Sequence, residues 1–190
     1  MFNYPEVIED DVEFYGLFEY PRLKGHSSPV ILGYNAPEAD KRLQYLNGYL
    51  GPKKLVRIWV LVFQGKTLQA AKMQEALWKG GNKNEFIYCV GIDKAGLVQW
   101  GHVISWTKQA ALKIEARNLI AGMGKFDPMK LVSFTETEVS KRFVKRDFTE
   151  EFSYLTVEPT GFAIGMSYFI VFLVNLGMAI WIVKNEHHDH

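Results

Sequence analysis

A single cysteine, Cys89, among 190 residues leaves no partner for an intramolecular disulfide. Its neighbours Ile87, Tyr88, Val90 and Ile92 mark it as a buried strand residue rather than a reactive thiol. An excess of charge of one sign is lacking too: 22 basic residues stand against 21 acidic ones, a net charge of +1. Nucleic-acid binding, which needs a clustered basic surface, has no footprint in that balance. No GxSxG elbow, HExxH pair or protein-kinase signature occurs, and GxxxxGK[ST] is absent. His26 beside Ser27 and Ser28, and the pairs Glu136/Glu138 and Glu150/Glu151, sit in polar segments and specify no catalytic geometry. No catalytic residue, cofactor or metal is assigned. MFNYPEVIEDDVEF lacks the basic n-region and apolar core of a signal peptide, so the folded part is expected to stay in the compartment of its synthesis.

What the chain does have is one long apolar run. Gly161 to Val183 reads GFAIGMSYFIVFLVNLGMAIWIV, 23 residues without a charge. As a helix rising about 1.5 Å per residue it measures roughly 34 Å, enough for a hydrocarbon core of about 30 Å. A buried globular helix would keep a polar face, and this segment has none. Lys141, Arg142, Lys145 and Arg146 precede the span, while Lys184 alone follows it. The positive-inside rule then places the N-terminal domain in the cytoplasm and the short tail on the opposite side. Within the span Gly161 and Gly165 have small-xxx-small spacing, and Asn175 sets an amide in hydrocarbon. Both features favour contact with another helix, from a different membrane subunit or a second copy. The tail residues His187, His188, Asp189 and His190 are metal-ligand types on a segment too short to build a specific site, so no metal is assigned there.

The rest of the chain reads as α/β, a mixed β-sheet covered by helices, followed by the single transmembrane helix. Residues 1–28 form an acidic and aromatic arm, 29–134 the α/β domain, 135–160 a polar linker, 161–183 the span and 184–190 the His-rich tail. LVRIWVLVF (55–63) and EFIYCVGI (85–92) are apolar runs suited to central strands, and LVQWGHVISW (97–106) reads as a hairpin partner after the DKAG turn. Asn35 is expected to cap a helix that Gly51-Pro52 ends. Thr67 and Thr107 are expected to cap helices reaching about Lys79 and Ala121. PVILGY (29–34) and KLVSF (130–134) read as short strands, VEFYGLFEY (12–20) as an edge strand or an amphipathic arm.

From residue 36 to about 125 the order of elements resembles the TPM domain, an α/β module often followed by a C-terminal transmembrane helix. The likeness lies in a helix, the strand LVRIWVLVF, a helix ending in ALWKGGNKNE, and the hairpin EFIYCVGIDKAGLVQW. It implies phosphatase activity, metal binding or the upkeep of membrane complexes. Unlike typical members, this chain has no acidic cluster around its glycine loop and no leader pattern.

Two candidate sites follow from the residues. The loop Trp78-Lys79-Gly80-Gly81-Asn82-Lys83-Asn84-Glu85 joins a helix to a buried strand. It reads either as an anion-binding loop, through Lys79, Lys83 and free amides, or as a helix C-cap with a solvated turn. Trp100, His102 and Trp106 share a strand face, which suits either a docking surface or packing beneath a helix. The resulting expectation is a membrane-anchored, non-catalytic accessory or assembly module. The alternative is a TPM-like phosphoester hydrolase tethered to the membrane.

Overall fold

The structure, a computed structural model, describes residues 4–21, 28–146 and 160–186, with side chains through 181 in the last segment. It divides into two units, Met1–Arg146 and Asp147–His190.

The first unit is a four-stranded sheet in the order β1-β2-β3-β4. β1 (Ile31–Leu32), β2 (Arg57–Gln64) and β3 (Glu85–Ile92) run parallel, and β4 (Val98–Ser105) returns antiparallel to β3. The near-continuous apolar runs of β2 and β3 arise because both faces of a parallel sheet are covered. Every β3 side chain is buried. Strand alternation sends Trp59 and Phe63 to one face, where they meet Tyr20, Trp78 and Phe18 edge-on. Tyr88 points to the other face, where its hydroxyl lies 2.9 Å from Thr135 Oγ1.

The helices are α1 (Glu9–Tyr15), α2 (Pro37–Lys54), α3 (Gln69–Leu77), α4 (Ala110–Ala121) and α5 (Pro128–Phe134). α1 makes the first part of the arm helical rather than strand-like; it ends at Gly16 with φ 61°, and residues 17–21 form no regular element. The cap of α2 is Ala36, not Asn35, and the helix continues past Pro52 to Lys54. Proline deletes one N–H and crowds the carbonyl four residues earlier; in a last turn, with Gly48 at that place, the helix survives. Thr67 and Thr107 do not cap their helices, whose N-caps are Leu68 and Gln109. Thr107 Oγ1 instead donates to the Val144 carbonyl at 3.1 Å.

KLVSF is helix, not strand. Asp127 accepts from the Met129 N–H at 2.9 Å and Pro128 takes the first turn, a start signal that outweighs the β-propensity of the apolar pair Leu131-Val132. The helix runs on through a π-helical stretch, Thr135–Val139, and a last turn, Ser140–Arg142. Leu131, Thr135, Val139 and Phe143 are all buried at four-residue spacing. Arg142 also grips Glu115 of α4 with two nitrogens, at 2.5 and 2.9 Å. Residues 135–146 therefore belong to the packed unit, which corrects the expected linker boundary at 135.

Side chains finish the borders of the sheet. β1 pairs with only two residues of β2, Val60 and Leu61. Beyond it, Asn47 of α2 accepts the Ile58 N–H at 2.7 Å and donates to the Ile58 carbonyl at 3.0 Å, as a strand would. Asp40 likewise accepts both the Val30 and Ile31 N–H groups. On the far border, bridges from Leu97 to Lys125 and from Thr107 to Lys145 cross the two ends of β4.

The second unit contains α6 (Gly161–Glu186). Its segment Gly161–Trp181 is 21 residues long with mean hydropathy 2.0 and no buried part, long and apolar enough to cross a membrane.

Candidate functional site

The glycine loop and Trp106, just past the end of β4, lie together at one corner of the first unit. Lys79, Gly80 and Gly81 have φ values of 51°, 80° and 74°, three consecutive left-handed residues that turn the chain from α3 into β3. A Cβ on Gly80 would collide with the Tyr4 hydroxyl and the Trp106 ring. Trp106 Nε1 donates to the Gly81 carbonyl at 3.2 Å. Sequence spacing therefore locates a junction here, although nothing in it reveals that Tyr4 and Trp106 close over Gly80.

Glu85 is the chemical centre of that corner. It is buried, yet its carboxylate accepts from the Tyr20 hydroxyl, from Trp59 Nε1 at 3.1 Å and from the Asn82 N–H at 2.8 Å. A buried carboxylate survives when its lone pairs are filled in this way. Burial and the adjacent carboxylate push the Tyr20 hydroxyl up to about 12. Asn82 Nδ2 also donates to the Tyr20 oxygen at 2.9 Å, and Asn84 offers its carbonyl to the Arg57 N–H at 2.8 Å. Lys79, Lys83 and Asn84 are exposed. Four of the eight loop residues are thus engaged in holding the arm or β2, through Trp78, Asn82, Asn84 and Glu85.

The arm residues 17–21 lie in a built groove. Gln74, itself buried, accepts the Phe18 N–H at 2.8 Å and donates to the Phe18 carbonyl at 3.0 Å, and Trp78 Nε1 donates to that carbonyl at 2.8 Å. Tyr20 seats its ring against Trp59 and Trp78.

Trp100 and His102 are half-buried, with their polar atoms engaged inside the unit. Trp100 Nε1 donates to the Lys66 carbonyl at 2.8 Å, and its ring lies over Gly91, where any side chain would penetrate the indole. His102 Nε2 meets Glu75 Oε2 at 3.1 Å. Cys89 pairs with His102 in the β3–β4 register. That juxtaposition is not a nucleophile with its base, because burial, reinforced by Glu75, pushes the fully enclosed thiol well up.

A groove of about 880 Å³ opens along α2, at the start of β2 and of β3. Arg57 and Lys41 supply its cations, and among the described residues no carboxylate lines it. The nearby carboxylate of Asp40 is already committed to the Val30 and Ile31 amides and, at 2.6 Å, to Gln44. Arg57 lies over the Trp59 ring at 4.6 Å, and its buried Nε has no hydrogen-bond partner. Tyr45, Tyr49 and Leu55 stand exposed in the lining. The sequence pattern does not single out these residues; its one signal is a lone guanidinium within LVRIWVLVF.

Among the described residues no group of three or more His, Cys, Asp or Glu is placed to hold a metal ion. His187, His188, Asp189 and His190 lie outside the described residues. In α6, Gly161 and Gly165 are exposed, and Asn175 Nδ2 donates to the Val171 carbonyl at 2.8 Å. The chain matches no protein-family model, and no curated protein or solved structure is significantly similar to it.

Proposed function

We propose that the chain is a membrane-anchored, non-catalytic accessory or assembly module that binds a membrane protein complex. The observation that carries this reading is α6, apolar on every side and unburied along the whole of Gly161–Trp181. Water is a poor solvent for such a surface, and lipid or neighbouring helices are good ones. The basic residues Lys141, Arg142, Lys145 and Arg146 ahead of the span favour a cytoplasmic first unit, with the tail opposite.

Asn175 supports association with other helices. Its Nδ2 is used within its own helix, which leaves Oδ1 to accept from a neighbour. The partner is then another membrane subunit or a second copy. The loop at 78–85 and the Trp100/Trp106 face hold the unit together from within, so the exposed groove along α2 is the better external surface.

The test is the mass and composition of the complex released from native membranes by a mild detergent. A defined assembly containing other membrane subunits is the expected result. A chain that emerges alone overturns the accessory reading and shifts attention to the TPM-like phosphoester hydrolase, to be tested by turnover of phosphoester substrates.

A further inference from the structure

Arg57 lines a groove whose described lining holds no carboxylate. Among the described residues its guanidinium makes no hydrogen bond or ion pair; the group lies over the Trp59 ring at 4.6 Å. Ring stacking fixes the plane of a guanidinium; with Nε buried, the two terminal nitrogens of Arg57 are the pair left for forked pairing with an oxyanion. Lys41 adds a second cation to the same lining, and the Ser28 hydroxyl and Asn84 amide add polar groups.

We infer that the α2 groove binds the phosphate of an anionic lipid headgroup. Charge complementarity is the first support: two cations line the groove, and no carboxylate stands among the described lining residues. The rim is the second. Tyr45, Tyr49 and Leu55 are 66%, 49% and 52% exposed, an amphipathic border suited to the glycerol and upper acyl region beside a phosphate. The third is supply. A domain tethered to a bilayer meets headgroup phosphate at high effective concentration, which lets a modest site be occupied. A protein segment with acidic side chains would satisfy the same cations, but it requires a partner, whereas lipid requires only the anchor. The inference rests on the membrane reading and is independent of the accessory role.

The experiment uses the full chain purified in a maltoside detergent and titrated with dihexanoyl phosphatidic acid, a lipid soluble as monomers. Saturable binding is expected, at least tenfold weaker in Arg57→Gln and several-fold weaker in Lys41→Gln. Lys41 is exposed, so its substitution leaves the fold intact and keeps the test valid if Arg57→Gln is unstable. Glycerol 3-phosphate and inorganic phosphate are expected to bind at least tenfold more weakly. Equal affinity for these soluble phosphates overturns the lipid assignment, and so does displacement of the lipid by an equimolar acidic peptide. Unchanged binding in both variants, or no saturable binding at all, overturns the site itself. Alkaline carbonate extraction of native membranes is read in parallel: release of the chain without detergent would sink the membrane reading separately.

Discussion

The amide of Gln74 holds the backbone of Phe18 from both sides, accepting its N–H at 2.8 Å and donating to its carbonyl at 3.0 Å. A buried glutamine thereby does for the arm what a neighbouring strand would do. Its position in α3, 56 residues along the chain from Phe18, ties the N-terminus to the middle of the fold.

Gln74→Ala strips the Phe18 backbone of both contacts, and Trp78 Nε1 restores only one bond to the carbonyl. Leaving buried polar groups unpaired costs about 1–3 kcal/mol. The expected outcome is loss of hydrogen-exchange protection across residues 17–21 with β3 protection retained. Exchange measured by mass spectrometry checks it, and an arm that stays protected would refute the clamp.

Tyr20 gives the fold an alkaline limit. Its hydroxyl titrates near 12 in the folded protein against 10 unfolded. A proton held more tightly by the folded state means stability is complete below pH 10 and is lost as pH rises toward 12. Burial raises Tyr88 and Tyr4 as well, so Tyr20→Phe is expected to flatten this decline without abolishing it. Thermal melts between pH 9 and about 12 decide the matter; identical slopes for wild type and Tyr20→Phe would remove Tyr20 from the account.

Gly91→Ala places a methyl inside the Trp100 indole, because the two residues face each other across β3 and β4. Overpacking of this kind costs about 1–3 kcal/mol, and more where the neighbour cannot move. Trp100 is held by its bond to Lys66, so the upper end is expected. A lower melting temperature, together with a shift in tryptophan emission, is the readout.

Cys89 is fully enclosed and its thiol is pushed well up, so native protein is expected to resist thiol reagents at neutral pH. Modification then proceeds at the rate of opening of the β3–β4 pair. Labelling by a maleimide, compared with and without denaturant, measures this. Fast labelling of the native protein would show that the strand is not closed.

Strands β2 and β3 were legible in the sequence because apolar runs bounded by turn residues leave a parallel core few alternatives, and antiparallel β4 because it follows the DKAG turn. The apolar helix α6 was legible for the simpler reason that no charged residue interrupts Gly161–Val183. KLVSF misleads because valine and phenylalanine favour strands locally, whereas the Asp127-Pro128 start and the burial of Thr135 and Val139 act over a longer span. The corner site was half legible. Gly80 and Gly81 announce a turn, yet only tertiary contact reveals that Glu85 is spent on Tyr20 and Trp59. The α2 groove left almost no mark in the sequence, since an arginine at the start of a strand has no local signature of an absent counter-charge.

The Asn47 amide that occupies Ile58 has a consequence for company. A strand arriving at that border finds the donor and acceptor already taken, so a second sheet cannot zip onto it. On the proposed membrane reading, copies held in one plane would meet far more often than copies dispersed in solution, and an adhesive edge there would favour ribbons. The Asn47 amide would then guard against such pairing, and Asn47→Leu is expected to leave that donor and acceptor open.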